Sequence, residues 1–217
     1  MAELTLIIAN KNYSSWSLRA WLALKATGAP FQEIKILLDE PTTRAQILRH
    51  SPSGRVPALI DGDVRGVKIW ESLAICEYLA ERFPAAQLWP EDRATRALAR
   101  AVSNEMHAGF ADLRRELSMD YRARKPVTPS PAAQRDIDRV CELWTTCRER
   151  PQAAGGPFLF GAFTIADCMF APVATRFATY GVPLSPSCAA YRDALLALPA
   201  MQEWLAEART EPELPNH

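Results

Sequence analysis

The sequence predicts an α/β unit followed by an all-helical one, and three observations carry that reading. Up to Pro84, short apolar runs of strand length alternate with stretches of helical period, in the order β-α-β-(α)-β-β-α expected of a small mixed sheet covered by helices. Beyond Glu91 the strand signals nearly vanish, and apolar residues recur in steps of three or four. Between the two, residues 84–90 carry two prolines and little charge and read as a linker. The expected units are therefore residues 1–84 and residues 91–217.

The first element is the apolar run Leu4-Thr5-Leu6-Ile7-Ile8-Ala9, which fits a fully buried strand. Leu18, Trp21, Leu22 and Leu24 then follow at helical spacing, so Asn12-Tyr13-Ser14-Ser15-Trp16-Ser17-Leu18-Arg19 lies where a strand turns into a helix. Gly28-Ala29-Pro30 stops that helix, and residues 31–38 read as a second strand. Asp39-Glu40-Pro41 breaks the strand, and residues 43–50 suit a short helix ended by Ser51-Pro52-Ser53-Gly54. Residues 56–60 and 67–70 read as a hairpin with Asp61-Gly62-Asp63 as a tight turn. Glu71-Ser72 opens the next helix, with Ser72 as its cap; Leu73, Ile75, Cys76, Tyr78, Leu79 and Phe83 form the apolar face, and Pro84 ends it.

In the second unit, Ala94, Leu98, Ala101, Val102, Met106, Phe110, Leu113 and Leu117 predict one long amphipathic helix that kinks near Gly109, its arginine-bearing face solvated. Residues 124–131 hold three prolines and read as a loop, followed by a helix over residues 132–148, a buried helix from Thr164 and one or two helices over residues 187–208. The tail from Glu211 to His217 is expected to fray. Thr164 and Asp167 sit three residues apart, the spacing of a capping box, with Phe163 and Cys168 at the staple positions, so their polar groups are assigned to folding rather than chemistry.

Composition narrows the function. Twenty-five basic and twenty-five acidic residues cancel, so no overall field draws the 217-residue chain to nucleic acid or an anionic membrane. No apolar run approaches membrane-spanning length, and the run at residues 4–9 is too short for a secretory core and has no basic segment before it. The five cysteines form no CxxC pair and have no nearby histidine, which points to reduced thiols in cytoplasm and to no metal site.

The serine turn has chemistry of its own. The first turn of a helix directs unpaired N–H groups and the positive end of its dipole forward, and hydroxyls there donate as well as cap, so the place suits an anion such as a thiolate. A thiol like that of cysteine has a pKa of about 8.5, and lowering it by about two units takes ~2.7 kcal/mol of preferential anion stabilisation. One charge-assisted hydroxyl hydrogen bond plus a helix N-terminus is of that order. The plain alternative is that Ser14, Ser15 and Ser17 only cap the helix.

Four motifs stand in register: Tyr13-Ser14-Ser15-Trp16-Ser17-Leu18-Arg19, Gly54-Arg55-Val56-Pro57-Ala58-Leu59, Trp70-Glu71-Ser72-Leu73-Ala74-Ile75 and Phe163-Thr164-Ile165-Ala166-Asp167. In that order they resemble the motifs of cytosolic glutathione transferases, and among the named classes the serine-dependent zeta type. The resemblance implies a thioredoxin-like N-terminal domain, an all-helical C-terminal domain and a homodimer joined through residues 67–80 and 94–108. It implies glutathione as co-substrate, its sulfur held by Ser14 or Ser15, with Tyr13 as a competing hydroxyl because other classes use a tyrosine near this turn. It also implies a cis peptide at Val56-Pro57 that turns the Val56 backbone towards the cysteinyl part of glutathione, Glu71 and Ser72 at the zwitterionic γ-glutamyl end, and Arg55 near the glycyl carboxylate.

The second substrate is expected to be a small hydrophobic electrophile in an interdomain cleft, with Trp16, Met106, His107, Tyr121 and Arg176 as candidate lining. Trp16 stands where zeta members usually carry cysteine, which suits an apolar or aromatic electrophile better than their four-carbon dicarboxylate chemistry. The expected activity is glutathione transfer. The alternatives are a glutathione-dependent isomerase of the maleylacetoacetate type and a non-catalytic transferase-like binding module.

Overall fold

Strand β1 (Leu4–Ile8) leads into helix α1 (Ser15–Thr27) and strand β2 (Phe31–Lys35) in the computed structural model, which describes residues 4–214. Helix α2 (Thr43–Leu48), strands β3 (Ala58–Asp61) and β4 (Val67–Trp70) and helix α3 (Ser72–Arg82) complete the first half. The rest is helical: α4 (Arg93–Ala108), α5 (Ala111–Glu116), α6 (Pro131–Arg148), α7 (Ile165–Tyr180), α8 (Pro186–Ala197) and α9 (Pro199–Thr210).

The sheet order is β2-β1-β3-β4. β1 and β2 pair in parallel, as the crossover helix α1 between them requires, and the β1–β3 and β3–β4 pairs are antiparallel. Period two explains the apolar run of β1: Leu4, Leu6 and Ile8 face the main core with Leu59 and the buried residues of α1 and α3, while Ile7 faces a smaller core with Ile36, Ile47 and Ala58. The main core continues into the helical half, where Trp144 meets Phe170, Phe177 and Tyr191 edge-on or tilted at ring-centre distances of 6.1, 5.4 and 4.7 Å. Among the described residues no helix is long and apolar enough to cross a membrane.

Several elements depart from the sequence expectation. β2 ends at Lys35 because β1 ends at Ile8; the chain then leaves the ladder and the Leu38 N–H donates to Asn10 Oδ1 at 2.8 Å. The hairpin loop spans residues 62–66, with Asp61 still paired to Val67, and its left-handed residues are Arg65 and Gly66. Asp61 stays in the strand because its carboxylate accepts from the Tyr78 hydroxyl at 2.6 Å and faces Arg82 Nε at 2.9 Å.

The predicted long helix is two. Gly109 ends α4, Phe110 adopts φ 61°, and α5 starts afresh with the N–H groups of Asp112 and Leu113 donating to the Asp136 carboxylate of α6. The tail also differs, since Glu211 and Leu214 are buried; residues 215–217 of the expected frayed segment lie outside the described residues.

At the start of α7, Thr164 N–H and hydroxyl both donate to Asp167 Oδ2, at 2.8 and 3.0 Å, while Oδ1 accepts from Leu159 N–H and the Tyr191 hydroxyl. Asp167 is thus a buried joint between α7, α8 and the loop before α7.

Candidate functional site

The chain turns sharply between β1 and α1, with the N–H groups of Tyr13 and Ser14 both donating to Asn10 C=O at 3.2 and 2.8 Å. Ser14 caps α1: its hydroxyl accepts from Ser17 N–H at 3.4 Å and donates to Ser17 Oγ at 2.7 Å. Ser17 is fully buried and its oxygen also accepts from Ala9 N–H at 3.1 Å, so this serine ties the helix to β1 and has no open face. Ser14 and Ser15 both line a cavity of about 500 Å³, together with Tyr13, Trp16, Leu38, Ile47, Gly54, Arg55, Val56, Arg114, Ser118, Met119 and Arg176. The Ser15 hydroxyl has no partner among the described residues.

A second cavity of about 390 Å³ adjoins it, lined by Trp16, Ser53, Arg55, Val56, Pro57, Glu71, Ser72, His107 and Ala108. Trp16, Arg55 and Val56 line both, so the two cavities meet at these residues. The Val56–Pro57 peptide is cis, and no hydrogen bond to the Val56 backbone is made among the described residues. Glu71, not Ser72, occupies the cap of α3, with φ 71° turning the chain from β4 into the helix; Ser72 is the first helical residue, fully buried, its hydroxyl without a partner among the described residues. Every residue expected to contact glutathione therefore lines one of the two joined cavities.

The residues expected around the electrophile divide. Trp16 sits at the junction, with the Arg19 and Arg114 guanidinium groups 4.2 and 5.3 Å from its ring centre and His107 edge-on at 5.3 Å. His107 lines the smaller cavity beside Glu71, its Nε2 lying 3.8 Å from the Glu71 carboxylate. Burial, aided by Arg19 and Arg114 and opposed by Glu71, pushes its pKa down, so the ring is neutral at neutral pH. Arg176 lines the larger cavity and anchors itself by donating from Nη1 to the carbonyls of Leu117 and Arg114. Met106 is corrected: it is fully buried in the main core and lines neither cavity. Tyr121 likewise lines neither, its ring lying between Arg124 and Arg209 at 5.9 and 5.6 Å.

Sequence reasoning missed Arg114. The break at Gly109–Phe110 swings it out of the solvated stripe of a continuous helix and over Trp16, and that glycine was the available signal. Arg55, Arg114 and Arg176 line the larger cavity with no carboxylate among them. Burial, with Arg114 adding repulsion, brings the Arg176 pKa down to about 10, and burial with Arg176 and Arg114 brings that of Arg19 to about 9, so both remain cations at neutral pH. A positive cluster beside the start of α1, in a cavity lined by no carboxylate, favours anions. Among the described residues no group of three or more His, Cys, Asp or Glu side chains is placed to hold a metal ion, and Cys76, Cys141, Cys147, Cys168 and Cys188 are unpaired.

Comparison with known proteins agrees in both halves. Residues 13–82 match the family model described as glutathione S-transferase, N-terminal domain, and residues 96–207 match glutathione S-transferase, C-terminal domain. The chain is 30% identical over 192 residues to the maleylacetoacetate isomerase of Rattus norvegicus, covering 87% of this chain and 85% of that protein. It is 25% identical over 215 residues to glutathione S-transferase Z2 of Arabidopsis thaliana, covering 95% and 94%. Among solved structures, it is similar to a glutathione transferase homolog from Burkholderia gl BGR1 with bound glutathione, at 26% identity and TM-score 0.71 over 96% of this chain and 99% of that one. Ure2p in complex with glutathione shares the fold at TM-score 0.72 and 21% identity, over 93% and 98%.

Proposed function

The chain belongs to the glutathione S-transferase family, and from that premise we propose that it holds glutathione across the two joined cavities, keeps the sulfur as thiolate at the start of α1, and presents it to an electrophile bearing an acid group. The observation that carries the reading is the larger cavity: two serines at a helix N-terminus open onto a space lined by three arginines and no carboxylate.

In this reading the first unit, residues 1–84, binds glutathione. Glu71 receives the γ-glutamyl ammonium, and the unpartnered Ser72 hydroxyl with the first N–H groups of α3 receives its carboxylate. The open backbone of Val56 pairs with the cysteinyl amide as an added strand would, and Arg55 stands by the glycyl carboxylate. Ser14 turns its proton from Ser17 to the sulfur, a rotation that costs one neutral hydrogen bond and makes a charge-assisted one, about twice as strong. Ser15 is the second candidate for that contact.

The second unit, residues 91–217, supplies Arg114, Ser118, Met119 and Arg176 to the electrophile side. Leu38, Ile47, Met119 and the Trp16 face offer apolar wall, so the substrate pairs a hydrophobic body with an anionic end that the arginines take. Trp70 and Val67, exposed on β4, fit the proposed homodimer through residues 67–80 and 94–108. The unpaired thiols suit a reducing cytoplasm.

The same arginines, with a relative named maleylacetoacetate isomerase, favour a second reading. A thiolate that adds to a cis double bond, lets the single bond turn and leaves again converts an unsaturated acid without consuming glutathione. Following free thiol and substrate together, with a cis-unsaturated keto acid as probe, separates the two. Conversion with stoichiometric thiol loss is transfer, and conversion at constant thiol is isomerisation. No shift of the glutathione thiol on binding would refute both.

A further inference from the structure

Glu211, expected to lie in a frayed tail, is instead a buried carboxylate with both oxygens bonded. Its side chain is 2% exposed, Oε2 accepts from the Asn12 backbone N–H at 3.1 Å, and Oε1 pairs with Lys35 Nζ at 3.0 Å. Asn12 is itself fully buried, and each of its side-chain polar atoms is taken from the helical half: Nδ2 donates to Asp120 Oδ1 at 2.8 Å, and Oδ1 accepts from Arg122 N–H at 3.1 Å. Arg122 closes the ring, donating from Nη1 to the Glu211 carbonyl at 2.6 Å and from Nη2 to the Tyr13 hydroxyl at 2.9 Å. The turn that delivers Ser14 has no ladder of its own, and these groups hold it from residues more than a hundred positions away in sequence.

We propose that Glu211 and Arg122 are positioning residues for the Ser14 turn, so that the end of the chain sets the geometry of the sulfur site. This deepens the Ser14 reading above and rests on it. Hydroxyl contact with an anion depends steeply on distance and angle, and a turn displaced by even a fraction of an ångström loses part of it. Glutamine at 211 offers one acceptor to two donors, so either Lys35 or the Asn12 N–H would face an amide group and the turn would relax. The helix before Glu211 stays docked in such a variant. Glu203 and Glu207, eight and four residues upstream on the same face of α9, pair with Lys25 at 2.7 Å and Lys11 at 2.8 Å.

The test is a pH titration of thiolate absorbance for glutathione bound to wild type, Glu211→Gln, Arg122→Lys, Ser14→Ala and the Glu211→Gln/Ser14→Ala double variant, with thermal melts of each. Glu203→Gln, which removes an exposed pair on the same helix, is the control. Positioning predicts a rise of about one unit in the bound thiol pKa for Glu211→Gln, tenfold less thiolate well below that pKa. It also predicts a rise in the same direction for Arg122→Lys, none for Glu203→Gln, and no further rise when Glu211→Gln is added to Ser14→Ala. A lowered melting temperature with the thiol pKa unmoved in both Glu211→Gln and Arg122→Lys overturns it, as does an undiminished effect in the Ser14→Ala background. Should Glu211→Gln not fold, Arg122→Lys decides alone. A wild type that does not shift the thiol refutes the Ser14 reading itself and takes this inference with it, whereas a Ser14-dependent shift untouched by the other two variants refutes the inference only.

Discussion

Replacing Asp167 by asparagine removes a charge that the fold has buried completely while keeping the shape of the side chain. In the wild type two backbone N–H groups and two hydroxyls donate to the carboxylate. Asparagine offers one oxygen; a hydroxyl can rotate to accept from the new amide but a backbone N–H cannot, so Leu159 or Thr164 N–H is left unsatisfied at a cost of roughly 1 to 3 kcal/mol.

The pH dependence is the sharper part. Burial raises the Asp167 pKa from 3.8 to about 6, the four donors pulling the other way without prevailing. A carboxyl raised in the folded state binds its proton more tightly there. Its contribution to stability is therefore present below the unfolded value and lost as pH rises through about 6. Between about pH 7.5 and about pH 5 the wild type gains roughly 1 to 2 kcal/mol from this group, and Asp167→Asn, which cannot titrate, gains none. Urea unfolding of both proteins at the two pH values reads the difference, in which titrating groups common to both cancel. The gap is expected to widen on acidification. A gap that stays constant or narrows would mean that the hydrogen bonds outweigh burial and hold the carboxyl at or below its ordinary pKa, refuting the reasoning.

Glu71→Gln should weaken glutathione binding about fivefold, the ~1 kcal/mol of a half-exposed ion pair, and calorimetry with a glutathione analogue lacking the γ-glutamyl amine should show no such difference. Arg114→Gln should raise KM for a carboxylate-bearing electrophile about ten- to a hundredfold, one charge-assisted contact, while the glutathione Kd holds; an equal loss with a neutral electrophile would contradict the arginine assignment. Trp70→Glu should convert a dimer to a monomer by light scattering at micromolar protein, and a wild type that is already monomeric at that concentration would remove the proposed interface.

The parts of the fold that rest on local rules could be read from the chain. β1 and α1 follow from an apolar run, a serine cap and helical spacing, and a mixed sheet follows once a crossover and a hairpin are recognised, although the placing of β1 beside β3 does not. The elements that differ are decided by partners distant in sequence. Steps of three and four continue from Met106 through Leu117, so periodicity alone shows no break; the break exists because Phe110 turns left-handed and Asp136 of α6 caps the new helix. Arg114 consequently read as part of a solvated stripe, and Met106, on the inner face of the same pattern, as a lining residue. Glu211 read as tail because an acid near the end of a chain carries no local signal of the asparagine and lysine that hold it. At the site, the serines, the Val-Pro step and the Glu-Ser pair were visible as motifs. Which hydroxyl faces open space was not, and the structure separates Ser17, closed in against Ala9, from Ser14 and Ser15, which line the cavity.

The central claim is that Ser14 stabilises a glutathione thiolate, and difference absorbance of the thiolate across pH, for wild type and Ser14→Ala at saturating glutathione, tests it most directly. The account predicts a bound thiol pKa about two units below the free value in the wild type and most of that shift lost in Ser14→Ala, an effect of ~2.7 kcal/mol shared between one hydroxyl and the helix N-terminus. A wild-type shift that survives in Ser14→Ala would contradict it and move the sulfur contact to Ser15 or Tyr13.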